Sequence, residues 1–207
     1  MYKMDLFSTE KSQEPIVIKL QGADLVYYPS FFSSETAHRY FKTLMSETHW
    51  QQDTIKLFGK THLQPRLTAL YGDENSTYSY SGIRMFPKPF SEVLKEIKTK
   101  IEAEVHLRFT SVLLNQYRDG SDSNGWHSDD EKELGTNPPI ASLSLGAERV
   151  FQLRNKKDKK LRENITLEHG SLLLMKGTTQ HFWQHQIPKT KKVTAPRINL
   201  TFRIIAS

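Results

Sequence analysis

The sequence contains no cysteine. That absence excludes a disulfide framework and any thiolate-ligated zinc site. It fits a reducing compartment, the cytoplasm or nucleus, or the bacterial cytoplasm in a prokaryote. Long apolar runs are also missing. None approaches the ~20 residues that span a bilayer as a helix, so no membrane partner is expected. The opening segment MYKMDLFSTEKSQE is polar and carries acids, unlike a secretory signal. It is expected to be a flexible tail over residues 1–14, followed by one domain over 15–207. No internal repeat is visible. What is present is a chain of 207 residues with 37% apolar content, enough to enclose one substantial core.

The formal net charge is +6, and two basic clusters stand out. They are RNKKDKKLR (residues 154–162) and PKTKKVTAPR (residues 188–197), both read as loops. Solubility alone would account for them. A polyanion such as nucleic acid is the competing partner, with Lys156, Lys157, Lys159 and Lys160 as candidate backbone contacts.

IVIKL and DLVYY predict two strands around a turn at Gly22. SSETAHRYFKTLMSE predicts a helix capped by Ser33, with Ala37, Tyr40, Phe41, Leu44 and Met45 on one face. A second helix follows Pro89, and Phe90, Val93, Leu94, Ile97 and Ile101 form its core-facing stripe. After His106 the pattern changes to short strands: SVLLNQY, IASLSLG, RVFQLR, NITLE, SLLLM, FWQHQI and RINLTFRII. Many short strands with few helices between them predict an α+β, mainly β fold. Its core should be an antiparallel sandwich or jelly roll with the N-terminal helices packed against it.

In RINLTFRI, Arg197, Asn199, Thr201 and Arg203 alternate with Ile198, Leu200, Phe202 and Ile204. A strand's period of two puts the polar set on one face. An edge strand facing water would show the same alternation. Two guanidinium forks on one face, however, suit the two ends of a dicarboxylate. In NQY, Asn115 and Tyr117 share a face and could orient a ligand by hydrogen bonds. NGWHSDDEKEL then crowds His127, Asp129, Asp130 and Glu131 behind Trp126. A solvated acidic loop is the plain alternative. On an extended segment His127 and Asp129 project the same way, and HFWQHQIP offers His181 and His185 as a third ligand. Two histidines and one carboxylate leave positions open on Fe(II) for a 2-oxo acid and dioxygen.

Together these segments resemble the AlkB family of Fe(II)/2-oxoglutarate-dependent nucleic acid demethylases, nearest the vertebrate branches that repair alkylated DNA. The resemblance runs from residue 58 to residue 204. It rests on LFGK, PRLTALYGD, YSYSG, NQYRDG, WHSDDE, IASLSLGA, HGSLLLM, WQHQIP and APRINLTFR. It implies a double-stranded β-helix (jelly-roll) core that uses Fe(II), 2-oxoglutarate and O2. It implies that His127, Asp129 and His185 bind iron, with His185 matching the family's ligand and His181 having no such role. Arg197 would pair with the distal carboxylate of 2-oxoglutarate, helped by Tyr117 and Asn199. Arg203 and Asn115 would lie near the carboxylate beside the metal.

The target base must leave its stack to be reached. By the same resemblance Tyr78 and Tyr80 would line or stack on that base, with Trp126 and Arg66 as further pocket candidates. Asp130 or Glu131 would meet the amino edge of 1-methyladenine or 3-methylcytosine. Phe58 in KLFGK is read as a wedge into the base stack, with Lys56 and Lys60 near phosphates. A hairpin tip whose Phe tucks into the core is the alternative. LFGK and YSYSG look like the double-strand branch, PRLTA and WHSDDE like the single-strand branch, so strand preference is open.

The expected reaction is direct-reversal repair, with release of succinate, CO2 and formaldehyde. The expected partner is alkylated DNA, with RNA as a second candidate, and the expected state is a monomer. Two rivals stand beside it. One is an oxygenase acting on RNA or on a substrate other than nucleic acid. The other is a non-catalytic nucleic-acid-binding module, which explains the lysines but not two arginines opposite an H-x-D.

Overall fold

The computed structural model describes residues 14–57, 60–73, 78–80, 83–85 and 87–205; for 55–57, 60, 78–80 and 83–85 it describes the backbone alone. The chain begins with β1 (Ile16–Leu20), β2 (Ala23–Tyr28) and α1 (Ser34–Glu47). Two small hairpins flank one longer strand: β3 (Thr54–Leu57) with β4 (Lys60–Leu63), then β5 (Leu67–Gly72), then β6 (Tyr78–Tyr80) with β7 (Ile83–Met85). Next come α2 (Glu92–Val105), β8 (Ser111–Tyr117) and β9 (Asn124–His127). The remainder is β10 (Ile140–Gly146), β11 (Arg149–Asn155), β12 (Arg162–Leu167), β13 (Leu172–Lys176), the short α3 (Thr179–Phe182), β14 (Trp183–Ile187) and β15 (Arg197–Arg203).

A seven-stranded sheet runs β1-β2-β13-β10-β15-β8-β5, and a four-stranded sheet runs β12-β11-β14-β9. The ladders within both are antiparallel. This is the expected jelly roll, with two sheets face to face.

Period two in the central strands builds two cores. Leu114, Leu143, Leu174, Ile198, Leu200 and Phe202 face one way and pack with Ala37, Tyr40 and Leu44 of α1 and with Leu94, Ile97 and Ile101 of α2. Leu113, Leu173 and Met175 face the other way and meet Phe151, Leu153, Trp183 and Ile187 of the smaller sheet. Each fully buried leucine or isoleucine there stabilises the fold by roughly 1.5–3 kcal/mol. The helices form for the expected reasons. The Ser33 hydroxyl accepts from the Thr36 N–H, and α2 ends at His106, whose φ of 55° is left-handed.

Some boundaries differ from the sequence reading. Phe182 closes α3 instead of opening a strand. The first basic cluster is loop only between β11 and β12, because Arg154 and Arg162 at its ends pair across those strands. The strand β5 carries no clear alternation, since five of its six residues are buried.

Candidate active site

The polar face of β15 does not meet water. Arg197, Asn199, Thr201 and Arg203 are all buried, and the last three line the space between the sheets. Opposite them, β8 sets Asn115 against Asn199 and Tyr117 against Arg197 in strict register.

Across that space lie His127, Asp129 and His185, with their ligand atoms all within 4.8 Å of one another. A β-bulge aims the first of them. His127 pairs with His185 and Asn124 with Ile187, so β9 takes three steps where β14 takes two. The extra residue brings Asn124 and His127 onto the same lining, although in a regular strand an i, i+3 pair would face apart. The His127 Nδ1–H donates to the Gly125 carbonyl at 2.7 Å, which leaves Nε2 as the ligand atom. The His185 ring stacks on Phe151, with centroids 4.9 Å apart.

Electrostatics suit a cation. Burial would raise the Asp129 carboxyl, but the Arg203 charge and the two imidazoles outweigh it and hold it at about 2. Burial, aided by His127, pushes the His185 imidazole down to about 3. Burial lowers His127 as well, against the opposing pull of Asp129. The site therefore offers two neutral imidazoles and one ionised carboxylate at ordinary pH, the protonation states a metal requires.

At the far end of β15, Arg197 is 1% exposed. Its Nη2 donates to the Ser144 hydroxyl at 2.9 Å and the Tyr117 hydroxyl also acts on the guanidinium, while Nε and Nη1 complete no hydrogen bond among the described residues. Burial pulls this guanidinium down to about 10. A buried fork with unsatisfied donors is the chemistry that receives a carboxylate.

The family model of the 2OG-Fe(II) oxygenase superfamily matches residues 24–203. The human alpha-ketoglutarate-dependent dioxygenase alkB homolog 3 is 43% identical over 215 residues, covering 94% of this chain and 74% of that protein. The human DNA oxidative demethylase ALKBH2 is 40% identical over 198 residues, covering 91% and 76%. The chain belongs to the AlkB family. An Arabidopsis thaliana DNA oxidative demethylase ALKBH2 is 38% identical, covering 89% of this chain and 67% of that protein. Among solved structures, that of OsALKBH1 superposes with a TM-score of 0.62 at 20% identity, over 91% of this chain and 100% of that one, a likeness of fold.

As an AlkB-family oxygenase the protein uses Fe(II), 2-oxoglutarate and O2. The donor set fits iron, which His127, Asp129 and His185 would hold. His181 is exposed on α3, away from that cluster.

The other candidates are distributed unevenly. Arg203 donates to Asp129 Oδ1, and Asn115 accepts from Arg66 Nε at 2.7 Å. Arg66 is thus buried on an amide beside the site. Trp126 does not line the triad's cavity; the Arg154 guanidinium covers its ring at 4.1 Å. The physical reason is alternation, which turns it away from the adjacent His127. Asp130 is bonded to Lys156 Nζ at 2.9 Å, and that ammonium also donates to the Gln180 carbonyl. Lys157, Lys159 and Lys160 are exposed, and Glu131 is partly buried. Phe58 lies outside the described residues, as do the side chains of Lys56, Lys60, Tyr78 and Tyr80.

The sequence reading missed several residues. Ser142 and Ser144 on β10 accept from Asn199 and Arg197, and their alternation in IASLSLG was the available signal. Gln180 accepts from the Asp129 N–H at 3.0 Å, and Arg149 spans two loops; no local pattern marks either. Size does not reveal the site. A roomier groove of about 620 Å³ runs between α1 and α2 with none of these residues in it.

Proposed function

We propose that this AlkB-family oxygenase removes N-methyl groups of the 1-methyladenine and 3-methylcytosine type from DNA by oxidative demethylation. The observation that carries the reading is the His-Asp-His cluster in the space between the sheets, lined also by Asn199, Thr201 and Arg203, with the buried Arg197 fork on the same polar set of β15. The names of the alkB homolog 3 and DNA oxidative demethylase relatives support it.

When bound, iron would let O2 act as the oxidant, with 2-oxoglutarate as the co-reductant spent to succinate and carbon dioxide and the methyl carbon leaving as formaldehyde. The chain supplies position, charge and exclusion. Arg197 holds the distal carboxylate, and Tyr117 packs beneath the Arg197 guanidinium at 5.2 Å. Arg203 fixes the Asp129 rotamer, and Phe151 shields His185 from bulk water. Asp130 or Glu131, just past the metal-ligand pair, is the acid we place at the amino edge of a cationic base. The exposed lysines between β11 and β12 supply sequence-independent attraction to phosphates. The absence of cysteine suits action in the cytosol or nucleus, and we propose that the protein acts there as a monomer.

The test is mass spectrometry of short oligonucleotides carrying one N-methyl lesion, single- and double-stranded, DNA and RNA, with Fe(II), 2-oxoglutarate and ascorbate. Loss of the methyl mass from a DNA strand supports the reading. Consumption of 2-oxoglutarate with every lesion intact would redirect it to a substrate other than nucleic acid.

A further inference from the structure

Arg149, the first residue of β11, is 3% exposed. A buried arginine is ordinarily paired with a carboxylate. Arg149 has no ion pair among the described residues. It donates instead to three backbone carbonyls: Asp119 at 3.1 Å, Asp122 at 2.9 Å and Pro188 at 2.6 Å. The carboxylates of the same two aspartates are engaged elsewhere. Asp122 is held by Arg118 at 2.8 Å through both oxygens, and Asp119 accepts from the Ser121 N–H and hydroxyl.

Those carbonyls belong to two loops, β8–β9 and β14–β15, which are also laced directly. Gly120 donates to the Val193 carbonyl and accepts from the Thr190 N–H, each at 2.8 Å. A side chain at Gly120 would strike the Thr190 carbonyl, so the loops close to a distance only glycine allows. Arg149 therefore fastens together the loop that follows Tyr117 and the loop that leads to Arg197.

It also brings charge. Its guanidinium carbon lies 5.5 Å from the Tyr117 ring centroid, and that of Arg197 lies 5.2 Å from the same centroid. Two buried guanidinium groups, neither in a direct ion pair among the described residues, thus share one tyrosine ring; the Asp119 and Asp122 carboxylates act on Arg149 only through space. The Arg149 charge acts on Arg197, helping burial to lower its proton affinity. A carboxylate brought to the Arg197 fork relieves the field of both cations; a neutral group in its place relieves neither.

We propose that Arg149 is a positioning and selectivity residue for the cosubstrate: it ties together the loops that adjoin Tyr117 and Arg197 and adds the second buried positive charge that makes this end demand a dianion. The inference rests on assigning Arg197 to the distal carboxylate of 2-oxoglutarate. No part of it requires Arg149 to touch the cosubstrate.

The experiment measures binding by titration calorimetry to the Mn(II)-loaded protein, without turnover. Two probes are compared: 2-oxoglutarate, and 2-oxobutyrate, which keeps the metal-binding end but lacks the distal carboxylate. Arg149→Gln is expected to weaken 2-oxoglutarate by about tenfold and to change 2-oxobutyrate by less than about twofold, the signature of a charge that acts only on the missing carboxylate. Arg149→Lys restores the charge but not the three-carbonyl clasp, and should retain most of the preference for 2-oxoglutarate. Equal loss on both probes in either folded variant, or no loss in Arg149→Gln, overturns the proposal. If Arg149→Gln does not fold, loss of the preference in Arg149→Lys overturns it and retention supports it. Arg197→Gln is the control. If it leaves 2-oxoglutarate affinity intact, the assignment of the distal carboxylate itself has failed, separately from the role of Arg149.

Discussion

Arg203 Nη2 and Asp129 Oδ1 are 2.6 Å apart, and both side chains are almost wholly buried. The carboxylate that completes the metal cluster is therefore held from behind by a strand of the other sheet. Removing the arginine leaves an uncompensated buried charge, at a cost of about 3–5 kcal/mol. Arg203→Ala should lower the stability of metal-free protein by that order. Mn(II) should recover part of the loss, because the ion supplies the missing positive charge. Denaturant melts with and without Mn(II) measure this; equal destabilisation in both conditions would contradict it.

The choice between the two late histidines is testable without turnover. His185→Ala should reduce Mn(II) affinity by more than roughly 100-fold, beyond the usual cost of losing a residue that only supports a ligand. His181→Ala, on the exposed turn of α3, should bind Mn(II) like the parent. Electron paramagnetic resonance titration of free Mn(II) reads both.

Arg197→Ala should raise the KM for 2-oxoglutarate far more than that for the oligonucleotide. Loss of one arm of a buried charge pair costs roughly 2–5 kcal/mol. Arg197→Lys should rescue only in part, since lysine lacks the fork that faces the carboxylate. An unchanged 2-oxoglutarate dependence would remove Arg197 from the cosubstrate site.

The lysines between β11 and β12 should divide into two kinds. Lys157, Lys159 and Lys160 are exposed, so their joint replacement by serine should flatten the salt dependence of DNA binding, by roughly one unit of slope for each phosphate no longer neutralised. Lys156 is engaged by Asp130 and the Gln180 carbonyl. Lys156→Ser should leave the slope near that of the parent and reduce turnover instead, through the loop that carries Asp129. Binding isotherms at several salt concentrations separate the two behaviours.

Acid stability should report on Glu102 at the end of α2. Its buried carboxylate accepts from the Phe109 N–H at 2.7 Å, from Lys98 at 2.9 Å and from Arg108 at 3.2 Å. Burial raises this carboxyl, but those bonds and charges outweigh it, so its folded pKa lies below the ordinary 4.5. A lowered folded value adds stability that is complete above the unfolded pKa and is lost as pH falls through the folded one. Glu102→Gln should therefore cost on the order of 1–2 kcal/mol at neutral pH, and the difference from the parent should vanish in strong acid. Denaturant melts at pH 7 and well below pH 4 provide the comparison. A gap independent of pH would assign the loss to packing.

Elements whose signal is local were legible along the chain. The alternation of Arg197, Asn199, Thr201 and Arg203 with Ile198, Leu200 and Phe202 specified a strand with one polar face. The spacing of Leu94, Ile97 and Ile101 specified the face of α2. The shared direction of His127 and Asp129 was also legible, as was the chemistry of a histidine pair with one carboxylate.

Folding supplied what depends on registers between distant strands. It turned the polar face of β15 inward, because the second sheet covers it and the helices cover the other side. It placed His185 and not His181 opposite His127, through the β14–β9 pairing and its bulge. It brought two guanidinium groups far apart in sequence, Arg149 and Arg197, to the one ring of Tyr117. No period along the chain encodes such contacts, since each is the product of two sheets closing on one another and of the loops that seal their ends.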